Sequence, residues 1–233
     1  IREAVKDSDL IVLGVPVGAM ESIVSEIAPF LKSETIITDV GSVKKNLIDS
    51  ILPILPSDVY FVPGHPIAGT EKSGPEAGFA DLFNGRWCIL TPNKNTSQVA
   101  LQKVKFIWEQ AGMQIATMDA EYHDRVLAIT SHIPHLVAFS IVGTVTELED
   151  QLKTEVIKYS AGGFRDFTRI AASDPVMWRD VFLNNSLLVL ELLGISIIFP
   201  VISILVDPSF IYKYSDYKIL SFVENYNHNQ LII

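Results

Sequence analysis

Short apolar runs and amphipathic stretches alternate in the first part of the chain. Three runs rich in Leu, Ile and Val predict strands that are buried on both faces, at residues 9–16, 35–40 and 59–62. Between them, residues 18–31 carry apolar side chains at helical spacing, and Ser42 is placed as the N-cap of a second helix that runs to about Leu55. Strands and helices that alternate over short connections predict a parallel α/β sheet.

The pattern changes about halfway along the chain. After a stretch rich in Gly and Pro, residues 87–91 and 114–118 predict further strands, with an amphipathic helix at 97–111 between them. From about residue 119 helical patterns dominate, and no strong strand signal occurs before residue 194. A domain boundary is therefore predicted near residue 119.

Each of the first three predicted strands ends in a short turn-forming sequence. These sequences are Val15-Pro16, Gly41-Ser42 and Gly64-His65. Because ligands of open parallel sheets lie beyond the carboxyl ends of the strands, the three ends predict one shared crevice.

Composition narrows the classes of function. The chain has 27 acidic and 18 basic residues, a net charge of -9, which argues against a nucleic-acid partner because phosphates require a basic surface. Its single cysteine, Cys88, excludes an intrachain disulfide and a thiolate metal cluster. No signal peptide is visible, so a reducing, cytoplasmic setting is expected.

The sequence Gly64-His65-Pro66-Ile67-Ala68-Gly69-Thr70-Glu71-Lys72-Ser73-Gly74 is the first candidate for chemistry. A histidine at the end of a buried strand, in a loop with little apolar anchoring, is placed to meet a ligand. Its near-neutral pKa suits proton abstraction from a hydroxyl group. The alternative is a turn histidine that bonds only to backbone carbonyls.

The second candidate is Ser131-His132-Ile133-Pro134-His135. Histidines three residues apart share one face of a helix and could bind a metal ion. A metal would need a third ligand, however, and no metal is expected here. The alternative is a pair at a helix start, in which one histidine packs and the other bonds to the backbone.

The third candidate extends from Gly162 to Asp180. The pair Gly162-Gly163 permits close approach of a ligand or another chain. Arg169 lies among apolar residues, so we expect it to be partly buried and to pair with a carboxylate. The alternative is a salt-bridged surface. Ser173-Asp174-Pro175 predicts a helix start.

These three sequences, in this order, resemble the prephenate/arogenate dehydrogenase family. The resemblance covers about residues 3–193 and includes Asp39-Val40-Gly41-Ser42-Val43-Lys44 and the run from Met118 to Leu127. It implies part of a Rossmann-type parallel sheet (residues 1–118), followed by an all-helical substrate and dimerisation domain (119–193) and an atypical tail (194–233).

The resemblance also implies roles for individual residues. His65 corresponds to the group that deprotonates the ring hydroxyl of prephenate, Ser42 to its neighbour at the nicotinamide, and Arg169 to the clamp on a substrate carboxylate. The other positions expected around the substrate are His135, Thr70, Glu71, Gly162, Asp166 and Trp178. Those expected at the cofactor are Val15, Pro16, Val17, Gly41 and Ser42.

The implied reaction is an oxidative decarboxylation that gives an aromatic ring, with NAD favoured over NADP. His135 after Pro134 favours prephenate over arogenate as the substrate, because cyanobacterial arogenate enzymes tend to lack this histidine. A catalytically silent, dimerising fragment is the alternative. The joint presence of Gly64-His65-Pro66 and Gly163-Phe164-Arg165-Asp166 argues against another hydroxyacid dehydrogenase.

The sequence departs from the family at both ends. The Gly-x-Gly-x-x-Gly fingerprint is absent and the chain does not open with Met, so we expect that about half of the cofactor domain is missing, including the residue that selects NAD or NADP. From Gly194 an apolar stretch lacks helical periodicity, which suggests out-of-frame or non-homologous translation. Pro200 and the short apolar length argue against a membrane span.

Overall fold

The computed structural model describes residues 1–207 except Glu71 and Ser73, and this part of the chain contains two three-stranded sheets. The first sheet consists of β1 (Leu10–Leu13), β2 (Ile36–Asp39) and β3 (Tyr60–Val62). The second consists of β4 (Gly64–Pro66), β5 (Trp87–Leu90) and β6 (Gln114–Thr117).

The first sheet is parallel, as predicted, with the strand order β1-β2-β3. The second sheet differs from the prediction, because β4 pairs antiparallel with β5 while β5 pairs parallel with β6. Gly64–Pro66 is therefore a buried strand and not the start of a loop. Pro63 lacks the N–H group that would continue the ladder of β3, so the chain changes its pairing partner at this point.

Eleven α-helices lie in the described residues. They are α1 (Arg2–Val5), α2 (Val17–Ile27), α3 (Lys45–Ile51), α4 (Gln98–Gln110), α5 (Ala120–Leu127), α6 (Ile133–Thr146), α7 (Asp150–Lys158), α8 (Gly162–Ala171), α9 (Pro175–Asn184), α10 (Ser186–Leu193) and α11 (Phe199–Val206). Short 3₁₀ turns lie at Ala28–Phe30 and Pro75–Ala77.

Helix starts show which capping predictions were right. Asp174 accepts hydrogen bonds from the first-turn N–H groups of α9, as the Ser-Asp-Pro sequence predicted. The prediction that Ser42 is the N-cap of this helix was wrong. The helix α3 begins at Lys45, and its N-cap residue, Lys44, forms no side-chain capping bond. Its first N–H groups are bonded instead by Asp124, a residue of α5.

One apolar core joins the helical part of the chain to the first sheet. Trp178 and Val181 of α9 pack in the same buried cluster as Met20 of α2 and Val43. Burial of this apolar surface holds α9 against α2, at the carboxyl end of β1. The candidate site lies beside this core.

Residues Ala120–Thr146 form one continuous helix of 27 residues with a π turn at Ala128–His132. The sequence Ser131–His135 thus lies inside a helix and not at its start. The π turn precedes Pro134, whose missing N–H group interrupts the regular ladder. Among the described residues, this helix alone is long and apolar enough to cross a membrane. That is weak evidence for a span, because core helices pass the same test and this one buries His123, Asp124 and His132.

The chain divides into two compact units, Ile1–Val189 and Leu190–Ile233. In the second unit, Gly194–Ile198 forms a π turn that continues into α11. The stretch from Gly194 to Val206 is thus helical although its sequence lacks helical periodicity. An apolar run without polar alternation can still be helical, because every backbone hydrogen bond is made locally. Most of the atypical tail, residues 208–233, lies outside the described residues.

Candidate active site

The site is centred on His65, a buried residue of β4, the strand that directly follows the last strand of the first sheet. Its neighbour Gly64 has no room for a side chain, because a Cβ atom there would lie 3.0 Å from the backbone oxygen of Asp39. The strand therefore passes close to the end of β2, and His65 is 8% exposed. A nearly buried imidazole at the carboxyl edge of a sheet fits the predicted crevice.

The His65 ring is the first of three side chains joined by hydrogen bonds. Its Nδ1 atom lies 2.8 Å from Nε2 of His123, and Nδ1 of His123 lies 2.8 Å from Oδ1 of Asp124. Both partners belong to α5 and are almost completely buried. In the described part of the chain, His65 forms no hydrogen bond through Nε2. The fully buried polar atoms that lack a partner do not include this Nε2, so the atom keeps some exposure. Nε2 therefore stays open to a ligand.

A buried ion pair lies next to Gly64, the residue before His65. The ammonium group of Lys44 contacts the carboxylate of Asp39 and donates to the Gly64 carbonyl oxygen at 2.7 Å. The same carboxylate accepts the N–H groups of Gly41 at 2.8 Å and Gly64 at 3.1 Å. Asp39 and Lys44 thereby hold the turn that contains Ser42 against the strand that contains His65.

A second group of aromatic rings lies on the helical side. His135 stacks on Trp178, with ring centroids 3.6 Å apart, and its Nδ1 atom bonds to the Ser131 carbonyl. His132 packs edge-on against the same Trp178 and bonds through Nδ1 to Asn185. His132 thus packs against Trp178, and His135 bonds to the backbone. This is the arrangement that the sequence analysis gave as the alternative to metal binding. In the described residues no group of metal-ligating side chains is assembled.

Burial sets the protonation state of these rings. Loss of solvent lowers the pKa of His65 well below its ordinary value, and the neighbouring His123, Lys44 and His132 lower it further. The same cause lowers the pKa of His135. His65 is thus a neutral imidazole at physiological pH, the form that accepts a proton.

The buried His132 should make stability depend on pH. Desolvation lowers its folded pKa from 6.5 to about 4, so the unfolded chain takes up a proton between these values that the folded chain does not. The free energy of unfolding should therefore fall as pH drops below about 6.5, with on the order of 2 kcal/mol lost from this group by pH 5. Chemical denaturation at pH 7.5 and pH 5 measures the difference.

The matched variant for this pH effect is His132→Asn, whose amide oxygen can still accept from Asn185. It should lose the His132 share of the difference but keep the parts that His65 and His135 contribute. An unchanged pH dependence in the variant would contradict this assignment.

The residues expected at the cofactor lie together beside this cluster. Val17 begins α2, and a Cβ atom on Gly41 would lie 3.1 Å from the Cγ2 atom of Val17. Val15 is half-buried and Pro16 exposed, at the end of β1. Ser42, also half-buried, has its backbone next to His132. These residues form one edge of the His65 site.

The structure does not bring the other predicted substrate residues into contact with His65. Thr70, Gly162, Asp166 and Arg169 are exposed, and within the described residues no hydrogen bond or ion pair joins them to the histidine cluster. The expectation that Arg169 is partly buried was wrong, because α8 contributes no buried residue to the core. Its charge is nevertheless close enough to lower the pKa of His135. Glu71 lies outside the described residues.

Three residues of the site carried no assigned role in the sequence analysis: His123, Asp124 and Lys44. All three belong to runs noted there for their family resemblance. A histidine and an aspartate in succession near a helix start are usually exposed, and only the fold shows that they meet β4 and α3.

Two family models match the chain in succession. The prephenate dehydrogenase nucleotide-binding domain matches residues 2–117, and the prephenate dehydrogenase dimerization domain matches residues 119–195. A solved structure of prephenate dehydrogenase from A. aeolicus, in complex with hydroxyphenyl propionate and NAD+, is 38% identical, with a TM-score of 0.76. The match covers 93% of this chain and 73% of that chain.

Similar curated proteins carry related names. A cyclohexadienyl dehydrogenase of Zymomonas mobilis is 46% identical over 80% of this chain, and a prephenate dehydrogenase of Bacillus subtilis is 40% identical over 78%. The matches span 63% and 49% of the length of those two proteins. From the two successive domain matches and the shared fold it follows that this chain belongs to the prephenate dehydrogenase family.

Proposed function

We propose that this chain carries out the oxidative decarboxylation of prephenate to 4-hydroxyphenylpyruvate, a step of tyrosine biosynthesis, with NAD or NADP as the hydride acceptor. The observation that carries the proposal is the neutral, buried His65 with its Nε2 atom open at the sheet edge. The names of the relatives, prephenate and cyclohexadienyl dehydrogenase, support the same reaction class.

His65 supplies the base in this proposal. As hydride leaves the carbinol carbon, Nε2 takes the proton of the ring hydroxyl, and the oxygen becomes a carbonyl before loss of carbon dioxide makes the ring aromatic. Because aromatisation is strongly favourable, the protein mainly orients the substrate and accepts the proton. Ser42 helps to orient the hydroxyl, and the stacked His135 and Trp178 form an apolar wall for the ring.

The residues at the ends of β1 and β2 fit the nicotinamide end of a dinucleotide. Pro16 makes no side-chain hydrogen bond to α2, so the N–H groups of Val17 and Gly18 would face a polar ligand, whereas that of Ala19 donates to the Pro16 carbonyl oxygen. Val15, Val17 and Gly41 would line the same edge. NAD is favoured over NADP, because the solved relative contains NAD+. When bound, the cofactor accepts the hydride.

A homodimer is the proposed assembly. The dimerization-domain match covers the helical part of the chain, and this part exposes large apolar side chains. They include Leu152, Ile157, Val176, Leu183 and Leu187. A second copy would cover such a surface. We place the enzyme in the cytoplasm, with prephenate or arogenate as its small-molecule partner.

A turnover assay with two substrates and two cofactors tests the proposed function. Prephenate with NAD should give faster cofactor reduction than arogenate with NAD, and the rates with NADP test the preference for NAD inferred from the solved relative. Faster turnover of arogenate would transfer the proposal to arogenate dehydrogenase. No turnover of either substrate, together with intact dimerisation in solution, would support the reading of the chain as a catalytically silent fragment.

Arg169→Gln should raise KM far more than it lowers kcat. The guanidinium group is exposed yet close to His135, where a bound carboxylate would pair with it in both the ground state and the transition state. Arg165→Gln, on the same helix, is the matched control and should leave KM nearly unchanged. Equal KM values in the two variants would remove Arg169 from the carboxylate clamp.

A further inference from the structure

Asp124 of α5 connects the helical part of the chain to the α/β part through hydrogen bonds. Its Oδ1 atom accepts from the backbone N–H of Lys44 at 2.8 Å, and its Oδ2 atom accepts from Lys45 at 2.9 Å. Asn185 donates to its backbone oxygen at 2.9 Å. The carboxylate is therefore held in one orientation, with Oδ1 also 2.8 Å from Nδ1 of His123.

We propose that His123 and Asp124 are positioning residues that fix the tautomer of His65 and leave its Nε2 lone pair free for the substrate. The proposal rests on the proposed function for its catalytic consequence. The hydrogen-bond chain itself can be tested without turnover.

The protonation state of each ring follows from the chain of contacts. Because the ionised carboxylate of Asp124 can only accept, His123 must carry its proton on Nδ1. In a His123 ring that carries only this one proton, Nε2 is an acceptor, so His65 must donate from Nδ1. A neutral imidazole has one proton, and Nε2 of His65 is therefore unprotonated. The Asp124 carboxylate thus determines which nitrogen of the His65 ring is basic, although two hydrogen bonds separate the two side chains.

The same chain accommodates the charge that forms during the reaction. The O–H bond of the substrate breaks, its electron pair stays on the oxygen, and the proton binds Nε2 of His65. The resulting imidazolium keeps its Nδ1 proton in the bond to His123, whose own Nδ1 proton points at the Asp124 carboxylate. The positive charge is stabilised through this line, and the proton leaves to solvent after product release.

Nitrogen NMR of the histidine rings is the direct test. The chain has five histidines, so the ring signals can be assigned by single replacements. In the unchanged protein, His65 should carry its proton on Nδ1. In Asp124→Ala, no carboxylate accepts the Nδ1 proton of His123, so neither ring is held in one tautomer and a share of His65 should carry its proton on Nε2. A proton on Nε2 in the unchanged protein, or an unchanged tautomer in the variant, would overturn the proposal.

Asp119→Ala is the matched control. Asp119 lies at the N-cap of the same helix, where its carboxylate accepts from Glu121 and Tyr122. This variant makes the same replacement at a helix cap and leaves the hydrogen-bond chain untouched. It should keep the His65 tautomer and the rate of turnover.

Kinetics separate positioning from a purely structural role. Asp124→Ala should lower kcat by about 10²–10⁴-fold, the size expected when the tautomer of a base is no longer fixed, with a much smaller change in KM. His123→Gln should retain part of the activity, because the amide oxygen can accept from His65, whereas His123→Leu should retain none of it. Equal losses in these two variants would contradict the acceptor role of His123.

The outcomes also distinguish this proposal from the proposed function. If the unchanged protein oxidises neither substrate but His65 shows the expected tautomer and loses it in Asp124→Ala, the proposed function fails and the positioning chain stands. If turnover is normal and the tautomer does not change in Asp124→Ala, the reverse holds.

Discussion

Replacing His65 by asparagine should lower kcat at least about a hundredfold, the size expected for the loss of a general base. The amide of asparagine can still donate to His123 in place of Nδ1, so the buried hydrogen bond survives. Nothing replaces Nε2, the atom proposed to accept the substrate proton. The change therefore removes the chemistry while it keeps the packing, and KM should change much less than kcat.

The pH profile of kcat/KM strengthens this test. Burial lowers the pKa of His65 well below 6.5, so the unchanged protein should keep its activity below that pH and lose it only as pH falls through the lowered pKa. The His65→Asn variant should lack this acid limb. Near-normal turnover in a variant with an unchanged unfolding midpoint would remove His65 from the role of base.

Sequence alone predicted the features that depend on local pattern. Runs of branched apolar residues predicted the positions of β1, β2 and β3. The expectation that β1 is buried on both faces was wrong, because Val12 is 45% exposed. The turn sequences after them predicted that Gly41-Ser42 and Gly64-His65 would meet at one edge, and Asp39 does bond to both glycines. His65 was identified for the same reason, since a strand end and a Gly/Pro loop are visible without a structure.

The rest depended on contacts between distant parts of the chain. His123 is 58 residues from His65, and Asp124 is 80 residues from Lys44, so no local pattern indicates that they bond. The cap of α3 was assigned to Ser42 by proximity in sequence, whereas α5 supplies it through Asp124. Burial of Arg169 was likewise inferred from its neighbours in sequence, yet the face that its helix presents is exposed.

Lys44 shows how stability and the site share one structural element. The side chains of Lys44 and Asp39 are fully buried and in contact, and together they bond to Gly41 and Gly64. Removing two charges from water is costly, and a buried pair is retained only where further hydrogen bonds satisfy its atoms. Here the further bonds fix the backbone at Gly41 and at Gly64, the residue before His65.

Lys44→Met should therefore reduce the free energy of unfolding by about 3–5 kcal/mol, because it leaves the Asp39 carboxylate buried without a counter-charge. Lys45→Met is the matched control: the adjacent lysine forms an exposed pair with Asp49, so its loss should cost about 0.5 kcal/mol or less. Chemical denaturation of both variants measures the contrast. Adding Asp39→Asn to Lys44→Met should restore part of the stability, since it removes the unpaired charge. A loss below about 1 kcal/mol in Lys44→Met would mean that the backbone N–H groups alone stabilise the carboxylate, and the cation would then matter for the position of His65 more than for folding.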